Sequence, residues 1–219
     1  MPTILFQNND FAIARKAHNI PTVPLKTQSP NGTLLGLVQI ECPQILSVQG
    51  KNPWEYGALH RLDTATAGLV LFAKTQSFYD YMINIQNKDL FEKTYIALTT
   101  KDTRLKGFES PNNRTFKIQS YFRSYGKGAK EVRPTLDIKK ADSKTLYTTE
   151  CLVIDGGYQC KITKGFRHQI RAHLAWIGNP IKGDKLYGNT QEKEQDLQLK
   201  CIEISFPLYD GTIFKFKDK

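Results

Sequence analysis

Long apolar runs are missing from this chain. The longest, Ala67 to Ala73, falls far short of the roughly 20 residues that a membrane-spanning helix needs. Cysteine is scarce: Cys42, Cys151, Cys160 and Cys201 show no C-x-x-C spacing and no paired histidines nearby, which argues against a zinc ribbon or a redox dithiol. They are expected to be reduced, buried thiols of a cytoplasmic protein. The N-terminal stretch lacks a basic leader followed by a sustained apolar segment, so no signal peptide is expected. There is also no Walker loop and no dinucleotide fingerprint, and therefore no cofactor is implied. A metal site is not expected either, because His168 and His173, five residues apart on a helix, would point about 140° away from each other.

What is present in excess is positive charge. Lysine and arginine number 31 against 21 acids, for a formal charge of +10, and 11% of residues are aromatic. Such a surface favours polyanions, because neutralised phosphates release counterions. The 219 residues suffice for one well-buried core, so a single domain spanning 1–219 is expected, with nothing that demands more than a monomer or an obligate protein partner.

Local patterning predicts mostly strands. Ile4 to Phe6 and Phe11 to Arg15 flank a polar turn, and Gly68 to Ala73 has the continuous apolar character of a central strand. Residues from His18 to Gly57 are rich in proline, glycine and asparagine and are expected as a loop-rich entrance, even at the apolar run Leu34 to Ile40. Gln76 to Asn87 places Phe78, Tyr81, Met82 and Ile85 at helical spacing. Tyr95 to Leu98 alternates as a strand, and Cys151 to Ile154 with Gln159 to Thr163 forms a hairpin about Asp155, Gly156 and Gly157. The segment Arg123 to Lys144 is charged and glycine-bearing, with an exposed turn expected at Gly126 to Gly128, and Lys127 to Lys144 is expected to be a solvated loop, with RNA contact as the alternative. His168 to Ile177 is expected as a helix with Ile170, Leu174 and Ile177 on its apolar face and Gly178 at its end. Asn189 to Asp196 is a polar excursion, followed by strands at Leu199 to Phe206 and Thr212 to Phe216. The resulting fold class is α+β with a mixed, largely antiparallel central sheet flanked by helices.

Against this background the stretch HRLDTATAGLVLFAK, His60 to Lys74, stands out. It sets a carboxylate, Asp63, just after a basic pair and just before the buried run. A carboxylate there must be held by a cation or lose its charge, because desolvating it unpaired is costly. Arg61 is one nearby cation and lies on the same face of an extended chain. Far downstream, KGFRHQIRAHLAWIGNPIKGDKLYG, Lys164 to Gly188, opens a helix with another basic patch.

Together these segments closely resemble the RluA-type family of RNA pseudouridine synthases. The H-R-L-D motif is His60 to Asp63, followed by Thr66, Ala67 and Gly68; the K-x-Y-x-A strand is Lys93, Tyr95 and Ala97. The H-Q-[IL]-R-x-H-L helix is His168 to Leu174, and the G-x-P-I-x-G-D-x-x-Y-G segment runs from Gly178 to Gly188. Two positions depart from the pattern: Ala65 stands where the family is often acidic or polar, and Phe166 where an arginine often follows the glycine, with Arg167 one place later. The S4-like RNA-binding domain that often precedes the family's catalytic domain has no room before His60, so RNA selection is expected from the catalytic domain's own surface.

The resemblance implies an isomerase that converts specific uridines of structured RNA, ribosomal or transfer, to pseudouridine. It implies that Asp63 is the essential carboxylate, that Arg171 pairs with it, and that Tyr95 stacks on the target base and assists the late proton transfer. Arg61 would enter the space left by the flipped base, and Ile170 would wall the pocket. His60, Lys74, Lys93, Arg167, His168, Lys182 and Lys185 are the further candidates for RNA contact. Two other functions compete: a catalytically silent RNA-binding or ribosome-assembly factor, and a glycosidic hydrolase that would need a second acid, for which Asp184 is the sole candidate inside the motifs.

Overall fold

The computed structural model describes residues 3–26, 28–101, 113–188 and 196–218. Most of the polar excursion expected at 189–196 therefore lies outside the described residues. The chain forms two compact units, one made of Met1–Phe91 with Lys200–Lys219 and the other of Glu92–Leu199. The class is α+β with mixed, largely antiparallel strand pairing.

In the first unit, β1 (Ile4–Gln7) and β2 (Phe11–Lys16) form a hairpin. Its turn is closed by the Asn8 carboxamide, which accepts from the amides of Asp10 and Phe11. β3 (Ala67–Ala73) pairs antiparallel with β2 and is buried at all seven positions, as its unbroken apolar sequence requires. Its other edge meets β9 (Leu199–Pro207) in parallel, through Ala67 opposite Lys200 and Gly68 opposite Cys201. Gly68 is irreplaceable there: its φ is +119°, and a Cβ would lie 2.2 Å from the Cys201 carbonyl oxygen. β10 (Ile213–Lys217) continues antiparallel from β9.

Two helices pack in this unit. The helix α2 (Gln76–Asn87) has the predicted span; Thr75 caps it by accepting from Phe78 N, and Phe78, Tyr79, Met82 and Ile85 are buried. Phe78 stacks on Phe11 at 4.8 Å and meets Phe206 edge-on at 6.0 Å, so helix and strands share an aromatic core. The other helix corrects the sequence reading. Leu34 to Ile40, expected within a loop-rich entrance, belongs to α1 (Leu34–Glu41), capped by the Thr33 hydroxyl, and Pro43–Ser47 continues it as a 3₁₀ turn. Proline, glycine and asparagine before the run outweighed a proper N-cap and three buried positions, Leu34, Leu35 and Val38.

The second unit is an antiparallel ladder. β4 (Glu92–Leu98) pairs with β8 (Gly157–Ile162), β8 with β7 (Tyr147–Ile154), and β7 with the first half of β5 (Thr115–Tyr125). The second half of β5 leaves that ladder and pairs with β6 (Glu131–Thr135). The segment 127–144, expected as a solvated loop, thus contributes its residues up to Thr135 to a built hairpin. Its charges sit at outward positions while Phe122 and Val132 alternate inward, a period-2 signal that the charge density obscured.

The helix α3 (Gln169–Trp176) packs Ile170, Leu174 and Ile177 inward as expected. It also buries Gln169, Arg171 and His173, so it is enclosed on more than its apolar stripe. Such a helix needs polar partners for its buried side chains. His173, completely buried, sits between the hydroxyls of Ser120 on β5 and Thr149 on β7, at 2.9 and 2.8 Å. Its imidazole is held neutral, with a pKa lowered to about 3 by burial.

Candidate active site

Asp63 lies outside regular structure, in the loop that runs from Ala58 into β3. It is half-buried, and a turn closes just behind it where Thr66 N donates to the Asp63 carbonyl. Around Asp63 the loop is fastened by residues at and just after the end of β2. The Thr22 hydroxyl donates to the Leu62 carbonyl at 2.8 Å and accepts from Leu62 N at 3.0 Å. The Lys16 ammonium donates to the carbonyl of Thr64 at 2.9 Å and to those of Ala17 and Ile20. His18 Nδ1 donates to the Ala65 carbonyl at 2.8 Å. The backbone on both sides of Asp63 is therefore bonded, at Leu62, Thr64 and Ala65.

Lys16 is almost completely buried. Burial lowers its pKa to about 8, while the negative charge of Asp63 acts in the opposite direction and favours the ammonium. Lys16, His18 and Thr22 were not singled out from sequence, where this segment read as a connector. The available signal was a lysine closing an apolar strand, FAIARK, which is an unusual place for a charge.

The other candidates around Asp63 divide by exposure. Arg61 has a side chain 58% exposed and forms an ion pair with Glu55 at 2.9 Å. His60 is turned to structural use: its Nε2 accepts from Leu71 N, and its ring meets Phe91 edge-on at 5.3 Å. Lys74 reaches the carbonyl of Asn8 and the side chain of Gln7, bracing the first hairpin.

In the second unit, Tyr95 is buried on β4 directly opposite Cys160 of β8. Lys93, two residues before it, is buried as well and donates to the Thr163 carbonyl at 2.8 Å. Ile170, on α3, is buried.

Arg171 is held by a carboxylate that sequence reasoning considered only as a hydrolytic acid. Its Nε and Nη2 each donate to Asp184 at 2.8 Å, one to each carboxylate oxygen. Leu186 N and Tyr187 N also donate to Asp184 Oδ1. Burial on its own would raise the Asp184 pKa, but these donors outweigh it and hold the group below the usual carboxylate range. An acid held ionised in this way is unsuited to give the proton that glycosidic hydrolysis asks of a second carboxylate. The Tyr187 ring lies 5.3 Å from the Arg171 guanidinium, and its hydroxyl exchanges hydrogen bonds with Val132 N and O and approaches His168 Nδ1 at 3.1 Å.

His168 precedes α3 in a left-handed backbone conformation, φ 56° and ψ 17°. Arg167 is exposed and donates to the carbonyls of Ala129 and Glu131 in the β5–β6 hairpin. Phe166 stacks on Phe122 at 4.9 Å. The residue that departs from the resemblance is thus an apolar anchor for that hairpin. Lys182 is partly buried, and Lys185 is exposed.

Residues 10–176 match the family described as RNA pseudouridylate synthase. The chain belongs to this family. The matched span includes Asp63, Tyr95 and Arg171, whereas Asp184 and Tyr187 lie beyond it. Among curated proteins, the chain is 31% identical over 157 residues to an uncharacterized RNA pseudouridine synthase of Helicobacter pylori, covering 71% of this chain and 60% of that one. It is 26% identical over 214 residues to an uncharacterized RNA pseudouridine synthase of Bacillus subtilis, covering 96% and 66%. It is 28% identical over 188 residues to the ribosomal large subunit pseudouridine synthase D of Blochmanniella floridana, covering 84% and 53%. The chain therefore spans between about half and two thirds of the length of these relatives. Its fold is that of the human RNA pseudouridylate synthase domain containing 1, with a TM-score of 0.70 at 16% identity over 99% of this chain and 82% of that one. Among the described residues no helix is long and apolar enough to cross a membrane, and no cluster of histidine, cysteine and acidic side chains could hold a metal ion.

Proposed function

We propose that this protein is an isomerase that converts uridine to pseudouridine within structured RNA, ribosomal or transfer, in the cytoplasm, with Asp63 as its essential carboxylate. The observation that carries this reading is the family match over residues 10–176, with the H-R-L-D carboxylate set in a loop whose backbone is bonded on both sides.

The reaction breaks the bond from the ribose C1′ to N1 of the base and forms one from C1′ to C5. A proton leaves C5 and one is taken up at N1, so the product is an isomer and no oxidant or energy source is consumed. Asp63 supplies the anion that acts on the base or the sugar. Tyr95 stacks on the base and assists removal of the C5 proton. Arg171, whose guanidinium is forked by Asp184, is the cation that the resemblance implies for this carboxylate. The uridine is extruded from its stack at a cost of roughly a few kcal/mol. Arg61, exposed and paired with Glu55, exchanges that partner for the vacated space.

An Asp63→Asn protein, incubated with RNA and read by carbodiimide-based pseudouridine mapping, is expected to lose conversion by at least about a thousandfold while retaining RNA binding. Conversion equal to the parent's overturns the assignment. Free uracil among the parent's products would make the protein a hydrolase, and RNA binding without conversion by the parent would make it a silent RNA-binding factor.

A further inference from the structure

The cationic side chains of the second unit fall into two groups. On the main ladder, Lys117 pairs with Glu150 at 2.6 Å and Lys161 with Glu92 at 3.1 Å. In the segment from Tyr121 to Lys144 there are seven cationic and three acidic side chains; Glu131 pairs with Arg133 at 3.8 Å and Asp137 with Lys140 at 3.6 Å, and two of the acids also bond the segment's own backbone. Asp142 accepts from Ser124 N and Oγ, both at 2.7 Å, and Asp137 caps the 3₁₀ turn Ile138–Lys140 through Lys139 N. Lys127, Lys130, Lys139 and Lys144 are exposed, and none has a carboxylate within ion-pairing distance among the described residues.

This charge is mounted on a rigid base. Phe122 and Val132 form a buried cluster with Ala172 of α3, packed by Tyr147, Phe166 and Tyr187. The Tyr187 hydroxyl bonds both the N–H and the carbonyl of Val132, and Arg167 bonds the carbonyls of Ala129 and Glu131. Because Tyr187 N also donates to the carboxylate that forks Arg171, the hairpin and Arg171 share one chain of direct bonds.

We infer that the β5–β6 hairpin is a docking arm for the phosphate backbone of a double-stranded RNA stem. The inference rests on the proposed RNA-modifying function and adds the surface that holds the substrate. Four lysines without carboxylate partners among the described residues, Lys127 and Lys130 in the turn of the braced hairpin and Lys139 and Lys144 in the segment that follows it, suit sequence-independent phosphate contact. Its exposed aromatic, Tyr125, already carries the Arg133 guanidinium 3.2 Å from its ring centroid, so that face is not open for the base stacking that single strands use. A-form stems, recognised by shape and backbone, are the RNA class that such contact fits.

The test compares the parent with the quadruple variant K127Q/K130Q/K139Q/K144Q and with a control, K26Q/K51Q/K88Q/K217Q, which removes four exposed lysines from the first unit. Binding to a stem-loop RNA, to its isolated duplex stem and to an unstructured strand of equal length is measured across a salt series. The hairpin variant is expected to bind both stem-containing RNAs at least about tenfold more weakly at ~0.1 M salt. Its slope of log affinity against log salt should fall by about 3, at roughly 0.7 to 0.9 per lost contact. The control should lose much less of either, and the melting temperatures should stay alike. Parental affinity and slope in the hairpin variant overturn the inference. An equal loss for the unstructured strand overturns the stem assignment. A parent that makes no pseudouridine overturns the proposed activity alone, since the binding series still reads the hairpin.

Discussion

The bonds that fix the main chain around Asp63 contrast with those that fix the side chain of Arg171. Around Asp63 the structure grips the main chain: Thr22, Lys16 and His18 bond the backbone of Leu62, Thr64 and Ala65. Arg171 is instead gripped by its own side chain, through a two-pronged ion pair to Asp184 from a buried position on α3. The difference teaches what each position requires. In the proposed reaction Asp63 is the essential carboxylate, and the bonds at Leu62, Thr64 and Ala65 fix the main chain that carries it. An arginine has five donors, and two can be spent on orientation while the charge still acts elsewhere. Damage to the second arrangement should therefore appear first as instability, and damage to the first as lost activity in a folded protein.

The largest effect is expected at Asp184. Asp184→Ala leaves a buried guanidinium without its carboxylate and two backbone N–H groups without their acceptor, at a cost of about 3 to 5 kcal/mol in urea or thermal unfolding. Replacing both members with apolar residues, Arg171→Met with Asp184→Leu, should recover the part that comes from the lone guanidinium, but not the part from Leu186 N and Tyr187 N, with no conversion of RNA. A stable Asp184→Ala protein with parental activity would break the comparison, because Arg171 would then be aimed by something else.

Both arrangements also show how far sequence alone could reach. The helix at 76–87, the fully buried strand ending at Ala73 and the Asp155–Gly157 hairpin were legible, because each depends on local periodicity and turn chemistry. So were the three motif segments that carry Asp63, Tyr95 and Arg171. The fastening of the Asp63 loop was not, since Thr22 and Leu62 are 40 residues apart and their pairing exists only once β2 and β3 have assembled. Asp184 lay in plain view inside a motif, yet an acid's role depends on whether donors saturate it, and that is a property of three dimensions. α1 was missed because eight residues offer too few turns to outweigh the breakers before them. The β5–β6 hairpin was hidden by its own charge density, which reads as a solvated loop until the inward positions Phe122 and Val132 are seen to alternate.

Thr22 sharpens the other side of the comparison. A Thr22→Val substitution keeps the shape but leaves Leu62 N and O unpaired in a buried setting, for about 1 to 3 kcal/mol of stability. The more telling measurement is kinetic. If the hydroxyl aims Asp63 through the backbone, kcat for RNA conversion should fall by about tenfold or more with little change in KM, since misplacement at the reacting centre costs rate rather than affinity. Thr22→Ser, which retains the hydroxyl, should restore kcat. A loss of stability with parental kcat would reduce Thr22 to packing.

The smallest effect tests whether the buried polar contacts of α3 serve structure apart from Arg171. His173 is neutral in the folded protein, with its pKa lowered from about 6.5 to about 3 by burial. Between those values the unfolded chain binds a proton that the folded one refuses. Its contribution to stability is therefore complete above about pH 6.5 and declines as pH falls toward 3, by up to about 1.4 kcal/mol per pH unit. His173→Gln, which can still bond Ser120 and Thr149 but cannot titrate, should flatten this part of the stability profile by that slope relative to the parent. Activity near neutral pH should change little, because the imidazole carries no charge there and its two partners are hydroxyls on β5 and β7. Parallel profiles for the two proteins would mean that the imidazole is already charged in the fold. Its two hydroxyl partners would then both be acceptors, and a cation buried in α3 would have to be added to the guanidinium that Asp184 neutralises.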